Sequence, residues 1–353
     1  MALIVLSTLV SSAAFSAEPT PQFNVQTDAT LVEGGPSLGD SDQVRWDFYK
    51  VDSAGGRSDE NVGGAYDATF QEKIPAGKYI AVAGLGNITR EIPVEVKDGA
   101  VAQVKANFDA AQLTIVPKRS PDSTEAETQS RVEITQGSFK DSIYGSKQIY
   151  VPAGELTLKG TIGPASAEEK ITVRAGEQTS HDLIIPSGVV IATAAYKQGG
   201  KPVNTDDIRF DALSKKETLD GTRETLNGTY GVGKVMQMPA GDYIMRARLG
   251  KVTAETPFTV TAGKRTDLSM DLDAGVLAIS APEAERIDIT AVTNDLQGKT
   301  EEVSGRYGVT HQDTLPPGDY MVKVTYDKKS NLEPKQVKAT VQASERTEIK
   351  VTK

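Results

Sequence analysis

The chain has 353 residues, 38% hydrophobic and 25% charged, with a formal net charge of −9. That balance belongs to folded soluble protein rather than a disordered chain, and the length exceeds what one sandwich domain needs. No stretch gathers Lys and Arg on one face, which removes the counterion-release drive for nucleic acid and argues against anionic membrane. The absence of cysteine excludes disulfides, thiolate metal sites, cysteine nucleophiles and lipid attachment through cysteine.

Ala2 to Phe15 form an apolar run too short to span a bilayer, followed by small residues. Residues 1–16 are expected to be a signal peptide, with Ala14-Phe15-Ser16 as the cleavage site and a mature start near Ala17. Against the usual pattern, no Lys or Arg precedes the run. No later segment is long enough to cross a membrane, so no integral membrane segment is expected after cleavage.

The next feature along the chain is a repeat. Pro75-Ala76-Gly77 recurs as Pro152-Ala153-Gly154, Pro239-Ala240-Gly241 and Pro316-Pro317-Gly318, with the glycines 77, 87 and 77 residues apart. A period of this size implies one small domain per copy. After each glycine an apolar alternation begins, as in Tyr79, Ala81, Ala83 and Leu85 or Tyr320, Val322, Val324 and Tyr326, and this predicts the buried face of a strand. Lys159, Arg246 and Lys323 mark the wet face of the same strand. A second alternating strand precedes it in each copy, carrying Val44-Trp46-Phe48, Val132-Ile134, Ile208-Phe210-Ala212 and Ile287-Ile289-Ala291.

The Pro-x-Gly element predicts a tight type II turn that closes a hairpin rather than a phosphate loop. Tyr66, Tyr144, Tyr230 and Tyr307 precede it at near-constant intervals and are expected to be core aromatics. Downstream, Val94/Val96 with Val104/Ala106/Phe108, and their equivalents, predict paired strands turned by Gly99, Gly176, Gly263 and Ser344. The fourth copy reads as about seven strands, the count of an immunoglobulin-like sandwich.

The fold expected is therefore all-β, with four tandem immunoglobulin-like β-sandwich modules in a rod, at residues 17–111, 112–187, 188–274 and 275–353. The links Asp109 to Gln112, Pro186 to Gly188 and Asp273 to Gly275 are too short for modules to fold back on one another, and they lack the composition of a flexible tether.

Ile74-Pro-Ala-Gly-Lys-Tyr79 and Leu315-Pro-Pro-Gly-Asp-Tyr320 resemble the turn-and-strand signature of transthyretin-like and immunoglobulin-like modules. Carboxypeptidase-regulatory-like domains and the B-type repeats of bacterial surface adhesins are examples. The resemblance implies stalks, spacers or binding accessories rather than catalysts. The chain shows no sortase signal with an apolar tail and no matched Lys/Asn/Glu trio, so neither cell-wall anchoring nor an isopeptide crosslink is implied.

Function is expected where copies diverge. Residues 117–130 read as a mobile polar loop of the second copy, and residues 214–228 as an extra hairpin or edge extension of the third. His181 and His311 lie in different copies, which leaves no paired-histidine metal site and no nucleophile–histidine constellation. His181 is expected at the core end of a strand and His311 in solvent, while Trp46 is a core residue. Asp109, Asp271 and Asp273 sit near the junctions without the spacing of a calcium loop. Asn87-Ile-Thr89 and Asn227-Gly-Thr229 fit glycosylation sequons. The reading is a non-enzymatic exported spacer or binding scaffold, periplasmic or secreted, with no catalytic, cofactor or metal residues. Its partner would be an envelope protein or glycan, and the alternative is carbohydrate or peptide binding by loops of the second and third modules.

Overall fold

In the computed structural model, residues 22–39, 43–292 and 301–352 are described. The expected signal peptide, residues 1–16, lies outside them. Val25–Thr30 (β1), Val44–Val51 (β2), Arg57–Tyr66 (β3), Gln71–Glu72 (β4), Gly77–Leu85 (β5), Ile88–Val96 (β6) and Ala102–Asn107 (β7) form two sheets, ordered β4-β1-β7 and β3-β2-β5-β6. The same three- and four-stranded pair recurs in three further copies, so the protein is all-β and built of four tandem sandwich modules. Among the described residues the one helical element is a 3-10 turn at Lys328–Ser330.

Alternation along the strands sets each core. In β5, Tyr79, Ala81, Ala83 and Leu85 are buried, as are Tyr320, Val322, Val324 and Tyr326 in the fourth copy. The preceding strand supplies Val44, Trp46 and Phe48, with the Trp46 and Phe48 rings stacked at 6.4 Å. Burying a side chain of Phe size contributes about 1.5–3 kcal/mol. Each module closes its own apolar cluster, around Trp46, Leu158, Phe210 and Val322 in turn.

Two turn expectations are corrected. Pro75-Ala76-Gly77 carries the chain from β4 to β5, which belong to different sheets, so it is a crossing between layers and not a hairpin. Gly154, Gly241 and Gly318 have φ of 121°, 153° and 159°, and Gly77 lies outside the positive-φ region, unlike the φ near +80° of a type II turn. The φ of Gly154, Gly241 and Gly318 is one that side chains rarely adopt, and a Cβ would also crowd the next tyrosine in two copies, standing 3.3 Å from Tyr79 Oη at Gly77 and 3.2 Å from Tyr243 Oη at Gly241. The turns at Gly99, Gly176, Gly263 and Ser344 also join strands of different sheets rather than hairpin partners. Their positive φ, 74°, 77°, 71° and 67°, explains the glycine preference.

The junctions repeat one hydrogen-bonding pattern. Ala110 N donates to Leu31 O of the first module at 2.9 Å, while Ala110 O accepts from Gly176 N of the second at 2.8 Å. Ser187 does the same between Arg119 O (3.4 Å) and Gly263 N (2.8 Å), and Ala274 between Tyr196 O and Ser344 N, both 2.8 Å. All three linking residues are fully buried. A buried linking residue whose N–H is satisfied by one module and whose C=O is satisfied by the next is held from both sides. Each crossing turn also presses on the module before it. A Cβ on Gly176 would stand 3.0 Å from Val32 Cγ1, and one on Gly263 2.5 Å from Ser120 Oγ, while Ser344 Oγ accepts from Lys201 N at 3.2 Å.

Candidate functional site

The four tyrosines expected in the core are on the surface: Tyr66, Tyr144, Tyr230 and Tyr307 are 58–71% exposed. Strand parity explains this. Tyr66 lies opposite Arg45, Tyr144 opposite Arg131, Tyr230 opposite Arg209 and Tyr307 opposite Arg286. Those arginines alternate with the buried positions of their strand, so their partners must face water as well. The guanidinium stands 5.0 Å from the ring centre at Arg45, 5.1 Å at Arg209 and 5.2 Å at Arg286. An acid two residues further on completes each cluster, as in Arg45 Nε to Asp47 at 2.6 Å and Arg131 to Glu133 at 3.0 Å. The hydrogen bonds that Arg45 donates to Asp47 and then to Tyr66 raise its pKa further above its ordinary value.

The tyrosine, arginine and acid of this outer face recur in all copies, while the first copy differs from the other three at the two positions facing the acid and the arginine. Opposite the acid stand Lys159, Arg246 and Lys323 in the later modules, but Val82 in the first. Opposite the arginine stand Thr161, Arg248 and Thr325, but Gly84 in the first. At these two positions β5 therefore puts no long side chain beside the Arg45–Tyr66 pair. Here a cleft of about 710 Å³ opens between the first and second modules. Its second wall is the strand Lys147–Pro152, whose Tyr150 also packs against the apolar core of the first module. Gln112 Nε2 lies 3.4 Å from Tyr150 Oη, and Asn87 Nδ2 donates to Lys140 O across the junction at 3.4 Å.

The polar segment of the second copy is built differently from expectation, whereas residues 214–228 of the third extend an edge hairpin as expected. Residues 117–130 are pinned, since Arg119 and Glu127 pair at 2.5 Å with both side chains largely buried, and Glu127 N donates to Pro117 O at 2.7 Å. In the third copy, Arg209–Glu217 and Arg223–Tyr230 form one long edge hairpin with register shifts. Its tip is held by Thr218 and Asp220, and hydrogen bonds from Thr218, then Thr222, lower the Asp220 pKa.

His311 is 7% exposed, not solvated. Its Nε2 lies 2.9 Å from Ser304 Oγ, which donates to Asp313 Oδ2 at 2.7 Å. This is not a catalytic relay. With the Ser304 hydroxyl donating to Asp313, the imidazole Nε2 donates to Ser304 rather than accepting from it, and Nδ1 is buried without a hydrogen-bond partner, where a relay would place the acid. Burial pushes the His311 pKa below its ordinary value, with Asp313 opposing. His181 is half-buried and reaches Glu169 at 3.2 Å, bridging the edge strands of its two sheets. Trp46 is fully buried.

Asp271 caps Asp273 N at 3.1 Å, and Asn107 caps Asp109 N at 3.0 Å, so Asp271 and Asn107 close junction turns in which Asp273 and Asp109 have φ of 47°. Among the described residues no cluster of three or more His, Cys, Asp or Glu is placed to hold a metal, and no helix is long and apolar enough to cross a membrane. Both sequon amides are engaged, Asn227 Nδ2 donating to Gln237 O at 2.9 Å.

No family model and no curated protein matches the chain. Solved structures to which it is similar include the TIE protein of Bacillus anthracis, at 14% identity over 92% of this chain and 73% of that one, TM-score 0.22. A streptococcal ancillary pilin is similar at 11% identity over 70% and 98%, TM-score 0.25. The minor pilin GBS52 of Streptococcus agalactiae is similar at 12% identity over 47% and 94%, TM-score 0.25. The class that the fold defines is a tandem β-sandwich protein, and its functional reading rests on its own residues.

Proposed function

We propose that the protein is a non-enzymatic, exported scaffold that holds four modules, divided near residues 111, 187 and 274, in a fixed end-to-end order. The observation carrying this reading is the triple repetition of the junction, in which Ala110, Ser187 and Ala274 each donate to one module and accept from the next. A catalyst needs no such repetition, whereas a spacer depends on it: slack at any junction destroys length. The Ser304, His311 and Asp313 grouping supports the same reading, because its hydrogen bonds run in the wrong direction for nucleophile activation.

Export is tested by mass spectrometry of the protein recovered outside the cytoplasm of an exporting host. The expected N-terminus lies near Ala17. An intact Met1 in that fraction contradicts this part of the reading.

A further inference from the structure

We propose that the cleft between the first and second modules binds a neutral oligosaccharide. The first argument is divergence at an otherwise repeated surface. Three modules carry Lys159, Arg246 and Lys323 opposite the acid, and Thr161, Arg248 and Thr325 opposite the arginine. Only the first has Val82 and Gly84, so only there is the face of the sheet low and partly apolar beside an exposed tyrosine. A Cβ on Gly84 would meet one atom at 3.9 Å and one on Gly86 none within 4 Å, so both glycines border open space.

The second argument is the chemistry of the lining. The C–H face of a sugar ring needs a shallow platform of small apolar and aromatic groups, which Val82 and Gly84 supply beside Tyr66, one face of whose ring carries the Arg45 guanidinium at 5.0 Å. Its hydroxyls need groups that both donate and accept, and Gln112 and Gln148 bring such amides from the second module. Charge selects against ions: Arg45 and Lys147 are balanced by Asp47 and Asp141, and Arg45 is already paired with Asp47. A volume of about 710 Å³ lies within the range of small-ligand sites. The cleft is set by the clamped first junction and by Tyr150 leaning on the core of the first module, so its two walls are held before a ligand arrives.

An extended peptide is the other class of occupant, since Lys147–Pro152 is an edge strand. Such edges recur in every module, however, whereas Val82 and Gly84 do not. The divergent positions therefore favour the sugar.

The experiment is calorimetric titration of the full chain with cello-, xylo-, manno-, malto- and N-acetylchito-tetraose, with tetragalacturonate and an extended peptide library as contrasts. At least one neutral member is expected to bind with Kd of roughly 10 μM to 1 mM. Gly84→Arg and Val82→Lys install residue types that sister modules already carry at the matching positions. Each is expected to weaken binding at least about tenfold with an unchanged melting temperature. Tyr66→Ala should do the same. Failure of every neutral member to bind below about 10 mM overturns the proposal. So does binding that survives Gly84→Arg unchanged, preference for tetragalacturonate, or binding of the peptides alone. None of these results bears on the scaffold reading, which is tested by shape.

Discussion

Tyr79 Oη donates to Pro75 O at 2.9 Å, four residues back, across the turn that carries the chain from one sheet to the other. Tyr243 to Pro239 (3.0 Å) and Tyr320 to Pro316 (2.8 Å) repeat the bond. The second module has Leu156 at this place, and Gln136 Nε2 instead donates to Ala153 O at 3.0 Å. Four copies thus satisfy the same turn by two routes. Removing one such hydroxyl costs about 0.5–1.5 kcal/mol. Tyr243→Phe or Tyr320→Phe should lower the stability of its own module by that amount in urea unfolding. Leu156→Phe, which removes no hydroxyl, gives no such loss of a hydrogen bond.

The surface tyrosines make a contrasting case. Tyr230→Ala should change stability by about 0.5 kcal/mol or less, as exposed positions do, whereas Phe210→Ala, fully buried on the neighbouring strand, should cost about 3–5 kcal/mol. Equal costs in denaturant unfolding would contradict the assignment of Tyr230 to the wet face.

The fourth module should be acid-sensitive. Burial lowers the His311 pKa below 6.5, so the unfolded chain takes up the proton first as pH falls. Stability is therefore full above about pH 6.5 and declines below it until the folded protein also protonates. Asp313 and Asp288 oppose the shift, while Arg306 and Lys251 reinforce it. Melting curves at pH 7.5 and 5.0 should show a loss in the wild type that is smaller in His311→Phe, the residue type found at the matching Phe70. An equal loss in both contradicts the role of His311.

Chelator should leave the melting curve unchanged, because among the described residues no cluster of three or more His, Cys, Asp or Glu is placed to hold a metal, and the Asp271 carboxylate already accepts from Asp273 N. A drop of several degrees would reveal a cation bound to the native state alone.

Much of the fold was legible because burial imposes a period of two. Val44, Trp46 and Phe48, and the alternation after each Pro-x-Gly, lie where their spacing puts them. Periodicity is silent on which sheet receives a strand, so the crossings at Gly77 and Gly99 read as hairpins. The tyrosines were misplaced because an interval repeated four times suggests packing, although the parity of Arg45 with Asp47 already put Tyr66 outside. His311 reads as solvated because it shortly precedes the Pro-Pro-Gly turn, and only the hydrogen bonds among His311, Ser304 and Asp313 show how it is tolerated inside. The cleft left a trace in the sequence: Lys159, Arg246 and Lys323 have no cationic counterpart in the first copy, where Val82 stands.

The junctions carry the central claim, and shape tests it most directly. Small-angle scattering of the full chain lacking residues 1–16 should give a radius of gyration of about 40 Å, the value for four modules of roughly 35 Å placed end to end. A value near about 20 Å, that of a single globule of this length, would mean that the modules pack side by side and would contradict the scaffold.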